Sequence, residues 1–387
     1  MRIAVVGGAG RVGLPLSVLL AQAGHHVDAV DIDARRIELL RAGNASFKED
    51  SLDDLLGSVV SSGRLVPTSD EDVYALADAV IVVVGTDLDE NGSPQNDSVL
   101  AVTERLRDRI RMDALVILRS TVMPGTTAFA REILSARTSR VVYCPERIAE
   151  GAAISELRTI PQIVGCDSDD STYEAVSGLF ATLGVESVRV TTGEAEMGKL
   201  ILNAWRYTQF AYGNEFARLC ALNNVNYAKV FRAIRYKYPR ADGIKSAGLA
   251  GGPCLEKDTR QLIAATATGS ALLDDVLASH TESVKVLVEK VAATVDLASS
   301  TVALLGLTFK PGSDDLRASP ALRVAESLKT RAKRLLVVDP HLIDDVGYEI
   351  VTLSVALESA QIVVVATQHD EFRDLKTNLP VIDLAAL

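Results

Sequence analysis

A glycine-rich turn between a short apolar strand and a helix constrains the fold of this chain more than any other feature. Residues 2–7 form an apolar, β-branched run ending in glycine, residues 14–23 have helical propensity, and residues 26–31 are a second strand-like run. A strand, a glycine turn, a helix and a strand within about 30 residues predict a βαβ unit. Similar runs at 79–84, 115–118 and 141–144 predict a mostly parallel sheet with helices on both faces.

The turn itself has the GxGxxG spacing of dinucleotide-binding turns. The first glycine permits the tight turn, the second lets the backbone approach a pyrophosphate at the helix N-terminus, and the third allows close helix–strand packing. A carboxylate at the end of the next strand would accept hydrogen bonds from a ribose and repel a 2′-phosphate, which favours NAD over NADP. A tight turn with a surface aspartate is the alternative. The cofactor-binding residues predicted here are Gly8, Gly10, Arg11, Val12, Gly13 and Asp31.

The pattern changes at Thr192. Residues 194–223 contain no proline and no run of β-branched residues, so we expect one long helix, capped by Thr192, with Glu194 and Glu196 near its positive end. Strand-like runs resume at 301–306, 334–339 and 361–366. We therefore predict the α/β class, with two Rossmann-like doubly wound domains joined by a central helical region with a long helix. The predicted domains are residues 1–191, 192–300 and 301–387.

The segment 251–258 offers a candidate nucleophile. Cys254 opens a predicted helix over 255–267, where backbone N–H groups and the helix dipole lower a thiol pKa and favour the thiolate. Asp258 lies one turn later and faces the same side. A small buried cysteine at a helix cap beside a solvated aspartate is the alternative.

Two further pairs carry candidate chemistry. Lys199 and Asn203 are four positions apart on the long helix, and a cation beside an amide suits stabilisation of an oxyanion. A solvated polar stripe is the simpler interpretation. Glu146 and Glu150 follow the strand 141–144, where they would position or deprotonate water, or only form local caps and salt bridges.

Charge and composition exclude several classes of protein. The chain has 40 Lys and Arg against 51 Asp and Glu, a net charge of −11, so it lacks a general field for nucleic acid or an anionic membrane. Four cysteines in 387 residues make no disulfide framework, and no apolar run is long enough to span a bilayer. We therefore expect a cytoplasmic protein with no nucleic-acid partner, no membrane partner and no metal site.

Eight motifs occur in order along the chain, and together they resemble the UDP-glucose/GDP-mannose dehydrogenase family of nucleotide-sugar 6-dehydrogenases. The resemblance covers essentially the whole sequence. The motifs are Gly8-x-Gly10-x-x-Gly13-Leu-Pro-Leu, Ser120-Thr-Val-x-Pro-Gly125-Thr-Thr, Pro145-Glu-Arg-x-x-Glu-Gly151, Glu194-x-Glu-x-x-Lys199-x-x-x-Asn203, Gly251-Gly-x-Cys254-Leu-x-Lys-Asp258, Gly306-Leu-x-Phe-Lys310-x-x-x-Asp-Asp-x-Arg317-x-Ser-Pro320, Asp339-Pro-His341 and Ala366-Thr-x-His369.

The resemblance implies the oxidation of a sugar C6 alcohol to a carboxylate in two hydride transfers, with two NAD per sugar. It implies that Cys254 attacks the aldehyde to form a thiohemiacetal, which the second transfer converts to a thioester. Lys199 and Asn203 would hold the C6 oxygen, and Asp258 would orient water and Lys199. Glu146 would serve thioester formation or hydrolysis, with Thr121 near the reacting centre.

The resemblance also implies binding roles and a quaternary state. Thr86, Thr121, Glu150 and Arg317 would join the glycine turn in holding NAD. The substrate would contact Glu146, Arg147, Ile148, Lys199, Asn203, Arg240, Gly251 and Lys310. A homodimer would form through the central helix, on which Trp205 and Tyr212 are expected as interface or core residues.

The sequence leaves the substrate open. Pro145-Glu-Arg147 resembles the branch that acts on UDP-N-acetylhexosamines, which we favour slightly, whereas Lys257 resembles the UDP-glucose type, and GDP-mannose ranks third. Two positions depart from the family pattern: Asp87 follows Thr86 where proline is usual, and Pro253 precedes Cys254. A two-electron hydroxyacid dehydrogenase and a catalytically silent nucleotide-binding regulator remain as rival interpretations. Neither rival explains why both Cys254 and Lys199 are present.

Overall fold

The computed structural model describes residues 1–86, 88–89, 92–342 and 346–383. The strands are β1 (Arg2–Val6), β2 (His26–Val30), β3 (Leu65–Thr68), β4 (Ala79–Val82), β5 (Leu115–Leu118), β6 (Val141–Tyr143), β7 (Gln162–Gly165), β8 (Ser187–Val190), β9 (Thr301–Leu305), β10 (Arg334–Val338), β11 (Ile362–Val365) and β12 (Val381–Asp383). The helices are α1 (Gly13–Gln22), α2 (Ala34–Arg41), α3 (Leu52–Ser61), α4 (Asp97–Arg107), α5 (Thr126–Leu134), α6 (Ala153–Glu156), α7 (Asp170–Ala181), α8 (Thr192–Leu222), α9 (Tyr227–Arg235), α10 (Leu255–Ala264), α11 (Ala271–Thr294), α12 (Pro320–Arg331) and α13 (Leu353–Ser359).

The first sheet confirms the predicted doubly wound architecture. Its strand order is β3-β2-β1-β4-β5-β6-β7-β8, and every pair is parallel except β6 with β7. The chain leaves β1 towards β2 on one side and returns to pair β4 on the other, so the strand order reverses between β1 and β4. In open α/β sheets ligands bind beyond the carboxyl ends of the strands at this reversal.

Alternate side chains of the central strands point into two separate cores. In β1, Ile3 and Val5 join a cluster that includes residues of α1, α3 and α7, whereas Ala4 and Val6 join a second cluster with residues of α4 and α5. All four are nearly inaccessible to solvent. Helices therefore cover both faces of the sheet, which explains why these strands read as continuous apolar runs.

The C-terminal sheet repeats this design with four strands. Its order is β10-β9-β11-β12 and all pairs are parallel. In β9, Val302 and Leu304 pack in one core, and Ala303 and Leu305 pack in another. The strand order reverses between β9 and β11, so the carboxyl ends of these two strands form a second expected ligand position.

The long helix α8 has 31 residues, and it begins with a reciprocal capping box. The hydroxyl of Thr191 accepts the N–H of Glu194 at 3.3 Å, and the carboxylate of Glu194 accepts the N–H of Thr191 at 2.8 Å. The capping residue is therefore Thr191, and the prediction of Thr192 was wrong by one position.

The chain divides into two compact units, one of residues 1–201 with 260–267 and the other of residues 202–259 with 268–387. The predicted domain boundaries after residues 191 and 300 remain predictions. Within the described residues, no helix is long and apolar enough to cross a membrane.

Candidate active site

The turn after β1 requires glycine because the backbone is crowded there. A Cβ on Gly8 would lie 2.7 Å from the Val5 carbonyl oxygen and 2.8 Å from the Ala29 Cα, and one on Gly13 would overlap the Gly7 carbonyl. Val12, the N-cap residue of α1, makes no side-chain cap. The N–H groups that begin α1 therefore face the end of the sheet without a capping side chain, an arrangement that suits an anion.

Asp31 lies at the carboxyl end of β2, as predicted. Its carboxylate accepts the N–H of Ala9, in the glycine turn, at 3.2 Å and that of Asp33 at 3.1 Å, and its side chain stays half-buried. Both contacts fix the carboxylate beside the turn while it keeps the capacity to accept further hydrogen bonds. These residues fit the adenosine half of a dinucleotide.

Arg11 joins the glycine turn to the loop that follows β6. Its guanidinium lies 5.1 Å from the centroid of the Phe47 ring and 2.5 Å from the Glu150 carboxylate. The buried carboxylate of Glu49 also binds this loop, because it accepts hydrogen bonds from the N–H groups of Gly151 and Ala153, each at 2.7 Å. Two predicted residues, Arg11 and Glu150, are thus in direct contact.

Glu146 lies at the start of this loop and is paired with a buried arginine. Arg119 donates through Nη2 to Glu146 and through Nη1 to Gln162 at 2.8 Å. The backbone N–H groups of Arg147 and Ile148 donate to the other Glu146 oxygen at 2.7 and 3.0 Å. Burial acts to raise the pKa of Glu146, but Arg119 and these N–H groups outweigh it and hold the pKa below its ordinary value.

The loops after β4 and β5 meet at the reversal of strand order. The Thr86 hydroxyl donates to the Thr121 carbonyl at 2.7 Å, and the Ser120 hydroxyl donates to the Val84 carbonyl at 2.7 Å. Thr86 and Thr121 are therefore in contact, as expected of two residues at one coenzyme site. Asp87, the departure from the family pattern, lies outside the described residues.

The polar positions at the start of α8 are buried rather than solvated. Lys199 is buried, which removes the solvated stripe as an interpretation at this position. Glu196 does not act on its own helix: its carboxylate is buried and accepts hydrogen bonds from Gly125 and Thr127 at the start of α5. Glu196 therefore lies near the start of α8, as predicted, and its carboxylate binds the start of a different helix.

In the second unit, Asp258 is the centre of a buried polar cluster. Asn203 donates through Nδ2 to Asp258 at 2.6 Å, and the Lys257 ammonium lies 2.8 Å from the other carboxylate oxygen. Cys254 is the residue before α10 and is exposed, and its carbonyl accepts the N–H of Asp258 at 2.8 Å. The structure therefore excludes the alternative of a buried cysteine beside a solvated aspartate, because Cys254 is exposed and Asp258 is buried.

Gly251 and Gly252, which come shortly before Cys254, pack against the segment that leads from β9 into α12. A Cβ on Gly251 would overlap Pro320, and one on Gly252, where φ is +91°, would lie 2.7 Å from the Phe309 ring. The N–H of Gly252 donates to the Ala318 carbonyl at 3.1 Å. These contacts leave no room for side chains and fix the backbone that leads to Cys254.

Lys310 borders a cavity of about 120 Å³ at the carboxyl ends of β9 and β11. Thr367, Gln368 and Leu249 also line it, and the Lys310 ammonium lies 5.6 Å from the centroid of the Phe309 ring. The cavity is at the reversal of strand order in the second sheet, where a nucleotide is expected.

Three arginines that were predicted to bind ligands either already form hydrogen bonds within the protein or lie away from these clusters. The Arg147 guanidinium donates to the Pro161 carbonyl, and that of Arg317 donates to the Asp315 carboxylate at 2.6 Å. Arg240 is exposed, in a short 3-10 helix at Pro239–Ala241. To bind a ligand, Arg147 and Arg317 would have to give up these hydrogen bonds. Arg240 would bind only a ligand that extends to the protein surface.

The sequence did not point to Arg119 or Glu49 as parts of this site. The position of Arg119 directly after a fully buried strand was a usable signal. A buried arginine requires a carboxylate or another hydrogen-bond acceptor, so a partner could have been sought. Glu49 gave no comparable signal, since it lies in an irregular segment between α2 and α3.

Comparison with known families matches three profiles in order. Residues 1–184 match the NAD binding domain, residues 193–285 the central domain and residues 303–384 the UDP binding domain of the UDP-glucose/GDP-mannose dehydrogenase family. NAD is accordingly the coenzyme of the first domain, and the choice of NAD from the glycine turn and Asp31 is confirmed.

Individual relatives differ in the sugar on which they are named to act. The UDP-glucose 6-dehydrogenase of Pseudomonas aeruginosa is 33% identical over 358 residues, which are 88% of this chain and 79% of that protein. The structure of a UDP-glucose dehydrogenase from Pyrobaculum islandicum superposes with a TM-score of 0.91 at 27% identity, covering 99% and 94% of the two chains. A UDP-D-ManNAc dehydrogenase from Pyrococcus horikoshii gives 0.90 at 26% identity, covering 100% and 99%.

Proposed function

Because this chain belongs to the UDP-glucose/GDP-mannose dehydrogenase family, we propose that it oxidises the C6 alcohol of a nucleotide sugar to a uronate through a thioester on Cys254. The observation that carries the proposal is the cluster beside Cys254. An exposed cysteine precedes α10, and one turn later a buried carboxylate is fixed by Asn203 and Lys257. A thiol at a helix N-terminus is disposed to ionise, and an oriented carboxylate can position water.

The chemistry balances with two equivalents of coenzyme. NAD, when bound, accepts one hydride in each oxidation. Loss of the first hydride and a proton converts the alcohol to an aldehyde, and the Cys254 thiolate then adds to the carbonyl carbon. Loss of the second hydride from this thiohemiacetal leaves a thioester, which water cleaves to the carboxylate and the thiol. In total, one alcohol, one water and two NAD give one carboxylate, two NADH and three protons.

The other residues have supporting roles in the proposal. Lys199 and Asn203 stabilise the charge that develops on the C6 oxygen, since a buried cation and an amide are strong donors to an oxyanion. Asp258 orients water, and Glu146 remains ionised beside Arg119 for thioester formation or hydrolysis. A covalent tether keeps the half-oxidised aldehyde from escaping before the second oxidation.

For the substrate we propose a UDP-N-acetylhexosamine, with UDP-glucose as the second candidate. Pro145-Glu-Arg147 supports the first. Lys257 supports the second, because a lysine at this position resembles the UDP-glucose type. GDP-mannose ranks third. Lys310, beside the cavity of the C-terminal sheet, would contact the nucleotide.

We also propose a homodimer through α8. Trp205, Tyr212, Phe216 and Leu219 are exposed large side chains at heptad-like spacing along this helix. Their exposure excludes a role in the core of a single chain, and a stripe of this kind is typical of a helix that packs on a partner. Sedimentation equilibrium of the purified protein tests the dimer, and a monomer at micromolar concentration would refute it.

The deciding experiment counts NADH per sugar consumed, over a panel of UDP- and GDP-sugars. Two NADH per sugar is the expected result. One per sugar supports the two-electron hydroxyacid dehydrogenase, and none across the panel supports a regulator.

Cys254→Ser tests the nucleophile, with Cys220→Ser as the matched control. We expect Cys254→Ser to lose uronate formation by a factor on the order of 10³ or more, as removal of a catalytic nucleophile does. Binding of NAD and of the sugar nucleotide should persist, and Cys220→Ser should retain activity. Full turnover by Cys254→Ser would remove the thioester from the mechanism.

A further inference from the structure

Glu196 lies one helical turn before Lys199 on α8, and the proposed chemistry does not use it. The residue is 1% exposed. One oxygen accepts the N–H of Gly125 at 2.7 Å, and the other accepts both the N–H of Thr127 at 2.9 Å and its hydroxyl at 2.6 Å. A buried carboxylate with three donors on one short segment is held in a single orientation.

These contacts replace a cap that α5 lacks. Gly125 is the N-cap residue of α5, with φ at +93° and no side chain to accept from the first helical N–H groups. Glu196 supplies that acceptor from another helix, and its negative charge suits the positive end of α5. The start of α5 is thereby fixed to the part of α8 that carries Lys199.

The segment fixed in this way also contains Thr121. The loop between β5 and α5 runs through Thr121, whose carbonyl accepts the Thr86 hydroxyl, and through Met123, whose N–H donates to Asn96 at 3.2 Å. Asn96 also donates to the Thr126 hydroxyl at 3.0 Å. The loop is therefore tied to the end of β4 on one side and to α8, through Glu196, on the other.

We propose that Glu196 is a positioning residue that fixes Lys199 relative to the Thr121 loop at the coenzyme end of the sheet. The proposal rests on the proposed function, because it assumes that Lys199 acts on the substrate. Lys199 and Glu196 lie on neighbouring positions of one helix face, so a shift of the anchored carboxylate moves the lysine with it. Errors of about 1 Å in the placement of a reacting group cost on the order of 10²-fold in rate.

Glu196→Gln is the direct test. The amide oxygen can still accept from Thr127, but the amide NH₂ faces the N–H of Gly125, so one anchor becomes a contact between two donors. We expect kcat to fall by about 10-fold to 100-fold while KM for NAD stays within about twofold. The fold should remain, because two of the three hydrogen bonds are kept.

Two control variants separate positioning from a general effect on the protein. Thr127→Val removes the hydroxyl contact but keeps both backbone hydrogen bonds, and we expect less than about a threefold loss of kcat. Glu194→Gln makes the same chemical change on the same helix at an exposed capping position and should leave kcat within about twofold.

The outcomes distinguish this proposal from the proposed function. An unchanged kcat for Glu196→Gln, in a wild type that makes two NADH per sugar, refutes the positioning role alone. A fall in kcat matched by an equal rise in KM for NAD also refutes it, because Glu196 would then serve only the coenzyme loop. A wild type that oxidises no sugar of the panel refutes both proposals.

Discussion

At the scale of single residues, the pair of Arg119 and Glu146 places two opposite charges in the interior of the first unit. The Arg119 side chain is 1% exposed, and its guanidinium lies 5.2 Å from the centroid of the Phe180 ring. A buried ion pair adds little net stability compared with two apolar side chains in its place. Removal of only one partner is strongly destabilising, because the other charge is then buried without compensation. The value of this pair is that it keeps Glu146 ionised and fixed in position.

We predict that Arg119→Met destabilises the protein by about 3 to 5 kcal/mol at pH 7, measured by urea unfolding. Glu146 has a lowered pKa in the native state, so its contribution to stability is complete above the ordinary carboxyl pKa and disappears as pH falls through the lowered value. Without Arg119, burial raises that pKa. The deficit of the variant should therefore shrink as pH falls and Glu146 becomes protonated.

Two further variants test this explanation. Arg119→Met with Glu146→Gln should recover most of the lost stability, because no uncompensated charge is left. Arg189→Met removes an exposed arginine paired with Asp170 and should leave the free energy of unfolding close to that of the wild type. Equal unfolding free energies for wild type and Arg119→Met would contradict the account.

The residues of the candidate site divide according to how much the sequence could reveal. Cys254, Asp258 and Asn203 could be found from motif and helical spacing, because those contacts are local or recur in a family pattern. The partners that fix the site come from distant segments: Arg119 is 27 residues from Glu146, and Glu196 is 71 from Gly125. No local pattern encodes such pairings, since they depend on how the sheet and helices pack.

At the scale of secondary structure elements, α8 and α11 meet through a stacked pair of rings. His280 lies parallel to Tyr207, with centroids 3.7 Å apart and an angle of 9°. Its Nε2 donates to the Tyr207 carbonyl at 2.9 Å. Burial lowers the pKa of His280 from 6.5 to about 4, so the ring is neutral in the folded protein at neutral pH.

We predict a pH-dependent loss of stability from this contact. Below pH 6.5 the unfolded chain protonates this histidine while the folded chain does not, so unfolding takes up a proton and stability falls as pH falls towards 4. One pKa unit corresponds to about 1.4 kcal/mol, which gives a total of about 3 kcal/mol. Urea unfolding at several pH values between 7 and 4.5 measures the slope.

His280→Phe keeps a ring on Tyr207 and removes the titrating group, so its stability should fall less steeply over that range than that of the wild type. His26→Gln is the control for the loss of a histidine elsewhere in the chain, because the His26 side chain is partly exposed. A wild-type slope that His280→Phe does not reduce would show that other groups cause the pH dependence.

In the first sheet, the central strands buried on both faces were predictable from the sequence, and the two edge strands were not. The β4 and β5 strands are wholly apolar and β1 and β2 are mostly so, and these runs gave the positions of all four strands to within two residues. In contrast, β3 contains a proline, and β8 has the exposed or half-buried sequence Ser-Val-Arg-Val, so neither stood out. The antiparallel pairing of β6 with β7 depends on how the chain turns between them, which no periodicity reveals.

At the scale of the whole molecule, the two sheets end their second strand in the same way. Asp31 accepts the N–H groups of Ala9 and Asp33, and Asp339 accepts those of Leu307 and His341 at 2.7 and 2.9 Å. The sequence similarity of the two strand ends therefore reflects a shared structural role. In each case the carboxylate joins the turn after the first strand to the end of the neighbouring strand.

The environments of the two aspartates are nevertheless different. The side chain of Asp31 is half-buried, whereas those of Asp339 and His369 are completely buried. His369 lies 3.2 Å from Asp339 through Nε2, and its Nδ1 accepts the N–H of Gly312 at 3.1 Å. A ribose cannot reach Asp339 without displacing this histidine. The C-terminal sheet therefore repeats the fold of a dinucleotide site but not its ribose contact.

We therefore predict one NAD site per chain, in the first sheet. Calorimetric titration should give about one NAD per chain, and Asp31→Asn should weaken NAD binding by about 10-fold, the equivalent of one or two hydrogen bonds. The same variant should narrow the preference for NAD over NADP, because it removes the charge that repels a 2′-phosphate. Asp70→Asn, at an exposed helix cap of the same unit, should bind NAD as the wild type does. Two NAD per chain, or an unchanged preference in Asp31→Asn, would show that the ribose carboxylate does not select the coenzyme.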